Sequence, residues 1–294
     1  MPKNLLTMQT AQQLVSSNLK LVTLPAVFAR VKSVVDDRKA SAIDLAKVLS
    51  GDPAMTARVL QLVNSAFWGF GRRIESLSRA VSLLGMLQVH DLVLASSVAQ
   101  VFDRVKPALI DVNKHWRGSV LRGLAATELA RRAELVDLGR VFTEGLLSDM
   151  GHMVLYMKTP ELAARALEQT LGRPWDLAQA ERELIGCDAA QVGGALCDAW
   201  NLPQCFGESI RHQSDPRAAG THALEASLLH IAAALAASDA AEGGIASAAL
   251  ERVLPFAWQT LGVDADCAPE VLRETGQNLS STLQMLSAPL ARAA

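Results

Sequence analysis

A chain of 294 residues can hold one large helical domain or two packed subdomains. Half of its residues are hydrophobic and 20% are charged, which excludes an intrinsically disordered chain. A formal net charge of −2 argues against a general nucleic-acid binder, because neutralising phosphates needs a surplus of Lys and Arg.

Strand signals are nearly absent: aromatic residues make up 4% of the chain, and period-two alternation never persists. Helix signals recur throughout. Leu24-Pro25 opens a segment through Val35, with Val27, Phe28, Val31 and Val34 at helical spacing. Ser41 is a predicted N-cap, with Asp44 placed to complete a capping box, and Gly51 supplies the stop. Asp52-Pro53 restarts the chain as cap and first-turn proline for a helix carrying Met55, Val59, Leu60, Leu62 and Val63. The run Trp68-Gly69-Phe70-Gly71 is predicted to be a tight loop. Ser76 caps a short helix that closes at Gly85, and a longer apolar helix follows from about Met86 to Val101.

The pattern breaks at Pro107, and a subdomain boundary is expected between Lys106 and Lys114. Beyond it the spacing predicts helices over Trp116–Arg132, Phe142–Tyr156, Pro160–Leu171, Trp175–Ile185, Ala189–Trp200, Gln204–Gln213, His222–Ala237, Ala246–Leu261 and Pro269–Leu286. The expected fold is all-α and two-lobed: a helical extension over 1–20, an N-terminal lobe over 21–114 and a C-terminal lobe over 115–294.

Cys187, Cys197, Cys205 and Cys267 form no CxxC pair and read as reduced thiols of a cytoplasmic protein. No signal-peptide core is apparent at the N-terminus. No apolar run is long enough to cross a bilayer, so no membrane partner is expected.

Read in order, several phrases resemble the HD-related output domain (HDOD) family. They are Leu24-Pro25; Asp52-Pro53-Ala54 running into Leu62-Val63-Asn64-Ser65-Ala66; Ala80-Val81-Ser82-Leu83-Leu84-Gly85; Trp116 with Ser119; Gly145-Leu146-Leu147-Ser148-Asp149-Met150-Gly151; Gly193-Gly194-Ala195-Leu196; and Trp200-Asn201-Leu202-Pro203. The resemblance implies two helical lobes, the second related to the HD and HD-GYP phosphohydrolases. It also implies a signalling module tied to two-component or cyclic-di-GMP pathways and acting through a protein partner. No receiver, kinase or cyclase motif is read in the chain, so the input is expected from another chain or a ligand.

An HD phosphohydrolase needs a cluster of His and Asp ligands for its divalent metals. By the resemblance, the first ligand histidine falls at Gly118 and the His-Asp doublet at Ser148-Asp149. The next histidine falls near Asp188, a later pair at His212-Gln213, and the late aspartate near Ala233. Asp149, Asp188 and His212 therefore remain, while Gly118, Ser148 and Ala233 mark losses. The expectation is a dismantled site without metal, cofactor or catalysis, with Asp149 retained to accept hydrogen bonds from neighbouring helix ends. His90-Asp91 is a literal HD dipeptide in the first lobe and reads as the polar face of its helix; His115, His152, His222 and His230 read as ordinary histidines.

The expected interaction surface is Asn64, Ser65, Phe67, Trp68, Gly69 and Phe70 with the basic pair Arg72-Arg73, since aromatic residues beside arginines anchor partner surfaces. The same aromatics could instead plug the junction between lobes. Three further readings stand beside this one. The first is a residual metal-dependent phosphohydrolase acting on a nucleotide or cyclic dinucleotide. The second is a helix-turn-helix over Ser41–Gly51 and Asp52–Asn64, with Arg58, Gln61 and Asn64 as base readers. In the third, the emptied metal pocket binds a nucleotide without cleaving it.

Overall fold

The computed structural model describes residues 8–16, 24–64, 73–104, 109–170, 173–240 and 249–287. Among these described residues no strand occurs, and no single helix is long and apolar enough to cross a membrane. A short α1 (Ala11–Ser16) precedes a first group of helices: α2 (Ala26–Asp36), α3 (Ala42–Ser50), α4 (Pro53–Val63), α5 (Leu77–Leu84) and α6 (Met86–Arg104). Their starts follow local chemistry. Ser41 and Asp44 form a capping box, Asp52 accepts the Met55 N–H in front of Pro53, and Ser76 accepts the Arg79 N–H. Gly85 ends α5 at φ 86°, a conformation that favours glycine. Leu45, Leu49, Met55 and Val59 are fully buried, each contributing about 1.5–3 kcal/mol of apolar transfer.

The second group comprises α7 (Val112–Arg132), α8 (Leu138–Leu147), α9 (Met150–Lys158), α10 (Pro160–Thr170), α11 (Pro174–Leu184), α12 (Ala189–Ala199), α13 (Gln204–Arg211), α14 (Ala223–Ala240), α15 (Pro255–Leu261) and α16 (Ala268–Ser287). One apolar cluster runs through both groups, from Ala11 to Leu286, and a second gathers α7, α14, α15 and α16. Helix α1 packs on α9 and α12, and α16 reaches back to α4 and α6, so the two ends of the described chain pack on the opposite group.

Three predicted helices differ by four residues or more in their bounds. Helix α7 begins before Trp116, because the Asp111 carboxylate accepts the N–H groups of Asn113 and Lys114. The helix expected over Phe142–Tyr156 is two helices. Asp137 caps the first, and the chain breaks at Asp149, with φ −106° and ψ 3°. The helix expected over Ala246–Leu261 restarts at Pro255, which holds Leu254 extended and leaves the Leu254 N–H to donate to His230 Nε2 at 3.2 Å.

The break at Asp149 lies between two close helix crossings. A Cβ on Gly145 would lie 2.7 Å from the Gly123 Cα of α7, and one on Gly151 would lie 1.8 Å from the Ala189 carbonyl oxygen at the start of α12. Only glycine permits these approaches, which wedge Asp149 between α7 and α12.

His90 and Asp91 are not a polar face. Helix α6 packs on α2, α4, α5 and α8, and the two side chains are 4% and 5% exposed. His90 Nδ1 lies 2.9 Å from Asp91 Oδ1, and its ring packs 5.1 Å from that of Phe28. The four cysteines are free thiols, and burial pushes Cys187 up to about 11.

Candidate functional site

The doublet position is built around Asp149, which is 8% exposed. It stands at the head of α9 but makes no side-chain capping bond, so the expected acceptance of helix-end N–H groups is not what holds it. Side chains surround it instead. His152 Nδ1 lies 2.7 Å from Oδ1, Arg122 reaches the same oxygen at 3.1 Å, and His115 Nδ1 lies 3.4 Å from Oδ2. The other ring nitrogen of His152 lies 3.2 Å from Glu181 Oε1, while Glu181 Oε2 accepts the Ala189 N–H at 2.9 Å. Tyr156 stacks on His152 with ring centroids 5.5 Å apart.

The charges follow from this packing. Burial alone would raise the Asp149 carboxyl, but Arg122, then His152 and His115, hold it well below the usual carboxylate range. Burial pushes His115 down to about 4, against the pull of Asp149, so this ring is neutral. His152 goes the other way: burial opposes its charge, yet Tyr156, Glu181 and Asp149 raise it well above the ordinary histidine value. The result is an inward-facing network of Arg122⁺, Asp149⁻, His152⁺ and Glu181, with His115 as a neutral brace.

The other remnant positions do not converge on it. Asp188 caps α12 in a capping box with Gln191 and pairs with Arg182. His212 ends α13 and points its Nε2 toward Glu208 Oε2 at 3.5 Å. Of the pair His212-Gln213, the glutamine faces the doublet: Gln213 Nε2 donates to the Ser148 carbonyl at 2.7 Å. Ser148 Oγ donates to the Gly145 carbonyl at 2.7 Å. Gly118 leaves open space, with no atom within 4 Å of an added Cβ, and Ala233 lines the cavity behind Asp149.

A divalent metal does not fit these residues. Both Asp149 oxygens are engaged, and one carries a guanidinium 3.1 Å away, a fixed cation on the oxygen that a metal would need. Among the described residues no group of three His, Cys, Asp or Glu side chains takes metal-holding geometry. The sequence reading missed His115, Arg122 and Glu181. The available signal was the spacing of His115 and Arg122, seven apart and on one face of α7.

Of the expected interaction residues, Ser65, Phe67, Trp68, Gly69, Phe70 and Arg72 lie outside the described residues. Arg73 is exposed. Asn64 Oδ1 accepts the Ile74 N–H and its Nδ2 donates to the Ile74 carbonyl, both at 2.7 Å, tying together the two ends of the intervening segment. The helix-turn-helix reading loses its cation, because Arg58 is 6% exposed inside the helical core and Asn64 is committed to Ile74.

The HDOD domain family model matches residues 21–216. A curated relative from Treponema pallidum (strain Nichols), "Uncharacterized protein", is 25% identical over 198 residues; the match covers 66% of this chain and 38% of that relative's length. Among solved structures, a "Putative phosphohydrolase" from Shewanella amazonensis SB2B is 25% identical with a TM-score of 0.71, covering 95% of this chain and 99% of that one. A "Putative signal transduction protein" from Marinobacter aquaeolei VT8 is 26% identical with a TM-score of 0.67, covering 95% and 62% respectively. An HDOD domain protein with unknown function from Geobacter sulfurreducens shares the fold at a TM-score of 0.72 and 20% identity, covering 95% and 97%. Motif order, helical architecture and the match over residues 21–216 place this chain in the HDOD domain family.

Proposed function

We propose that this protein is a non-catalytic regulatory module of bacterial signalling in the cytoplasm, working through a protein partner. The observation that carries this reading is the commitment of Asp149: its oxygens are engaged by Arg122, His152 and His115, so the surviving carboxylate of the doublet position holds side chains together in place of an ion. Without a Lewis acid to activate water, an HD-type site has no nucleophile for a phosphoryl centre. Membership of the HDOD family supports a regulatory role, and the Marinobacter neighbour's name points the same way.

The partner surface in this reading is the segment between Asn64 and Arg73, which carries Phe67, Trp68, Phe70 and Arg72. Aromatic and arginine side chains dominate binding energy at protein interfaces. The test is affinity capture from the native host with wild-type protein and with a Trp68→Ala, Phe70→Ala double variant. A defined partner retained by the wild type and lost by a variant of unchanged melting temperature supports the reading. Metal-dependent phosphate release by the purified protein, with no partner retained, overturns it.

A further inference from the structure

Glu144 is a buried ionisable group that the Asp149 network does not use. It lies on α8 and is 1% exposed, and among the described residues its Oε1 has no hydrogen-bond partner. Arg140, one turn earlier, comes within 3.6 Å of that oxygen, too far for a hydrogen bond. The same guanidinium lies 3.4 Å from Asp137 and 3.4 Å from Glu225 of α14, so its charge is divided among three acids.

This residue sits where the first group of helices meets the second. Helix α6 packs on α8, and Thr143 Oγ1, beside Glu144, donates to the Asp91 carbonyl at 3.2 Å. Asp91, buried and paired with His90, brings a fourth acid from α6. Helix α7 crosses α8 at Gly123 and Gly145, and its Arg122 is committed to Asp149. Cys197 of α12 and Cys205 of α13 lie close enough to feel Glu144: burial pushes both thiols up, and its charge adds to the effect. An ionised Glu144 would face these acids with an oxygen lacking both water and a donor, whereas a neutral carboxyl escapes most of that cost. Burial accordingly raises it to about 8, with Glu225, Asp91 and Asp137 working against Arg140.

We propose that the junction between the two helix groups is proton-gated: it closes around Glu144 as a neutral carboxyl, and loss of that proton opens the contact of α8 with α6 to water. Opening releases the proton, so rising pH favours the open form. Between the ordinary glutamate value of 4.5 and the buried value of about 8, each pH unit shifts the balance toward opening about tenfold. Such a gate needs neither a partner nor any assumption about Asp149.

The test is thiol alkylation of the full chain from about pH 6 to 9, read at each cysteine by mass spectrometry and compared with Glu144→Gln at the same pH. Cys197, 3% exposed, is reached through the open junction. The ratio of its labelling rates, wild type over variant, should climb about tenfold per pH unit up to about pH 8 and then level off. Glu144→Leu, a second variant without the proton, should serve as the same reference if Glu144→Gln folds poorly. Cys187, equally buried in the loop before α12, should be labelled much more slowly than Cys197 in the wild type. A ratio at Cys197 that stays flat across this range overturns the proposal. So does equal labelling of Cys187 and Cys197, because unfolding of the whole chain exposes both alike.

Discussion

Replacing Arg122 by Met leaves the Asp149 carboxylate without its guanidinium and keeps most of the side-chain volume. At 3.1 Å and an effective dielectric near 20, the gross attraction is about 5 kcal/mol. His152, 2.7 Å from the same oxygen, retains part of the compensation. Breaking a buried pair from one side typically costs about 3–5 kcal/mol, so a loss near the lower end, about 3 kcal/mol, is expected. The pH dependence identifies the cause. Arg122, His152 and His115 depress the folded-state pKa of Asp149, so its stabilisation is present above the unfolded value, about 3.9, and is lost as pH falls through the folded one. Arg122→Met moves the folded value back up. Denaturant melts should therefore show the full gap between wild type and variant near neutrality, narrowing below about pH 4. A variant within about 0.5 kcal/mol of wild type, or a gap that stays constant into acid, would refute the network as a source of stability.

Three other outcomes follow from the same packing. Burial raises the Glu144 carboxyl to about 8 despite Arg140 at 3.6 Å. Folded protein thus holds a proton that the unfolded chain releases, and stability should fall by about 3 kcal/mol between roughly pH 4.5 and 7. Glu144→Gln should flatten that slope in pH-dependent melts, and parallel curves would discount the raised value. Gly151→Ala, with its Cβ 1.8 Å from the Ala189 oxygen, should cost about 3 kcal/mol, whereas Gly118→Ala, meeting nothing within 4 Å, should gain about 0.5–1 kcal/mol from helix propensity; equal melting temperatures would contradict the crossing. Asn64→Ala removes both bonds to Ile74 and should cost about 2 kcal/mol, with faster amide exchange at Ile74; unchanged protection there would show that the clasp does not hold the segment.

Several helix starts were legible from local caps, although the equally local caps at Asp111 and Asp137 were not. Ser41 with Asp44, Asp52-Pro53 and Ser76 announced their starts because a cap is formed by residues within one turn. The break inside Phe142–Tyr156 was not legible. Its apolar spacing suits one helix, and what splits it is the approach of α9 to the Ala189 carbonyl, a contact across some forty positions. The glycines of Gly145-Leu146-Leu147-Ser148-Asp149-Met150-Gly151 were visible, but their purpose as helix crossings was not. The burial of His90 and Asp91 escaped for a similar reason: an HD dipeptide looks polar until a second helix layer covers it.

The site was half legible. The survival of Asp149 and the losses at Gly118, Ser148 and Ala233 came from aligning motifs, which tracks position and not direction. His212 survives as a residue yet turns toward Glu208, and Asp188 caps a helix. The imidazoles that reach Asp149 come from His115, one turn before the aligned glycine, and from His152, one turn after the doublet. The three-residue spacing of Asp149 and His152 allows them to pair on one helix face, but His152 read as an ordinary histidine. The convergence of Arg122 and Glu181 is tertiary and had no local signature.

The most direct test of the account is a manganese titration of metal-stripped protein, followed by calorimetry with elemental analysis and repeated on Asp149→Asn. The network described here predicts no stoichiometric manganese bound to either protein. One or two tightly bound ions, lost in Asp149→Asn and accompanied by nucleotide hydrolysis, would contradict the claim that side chains have replaced the metal.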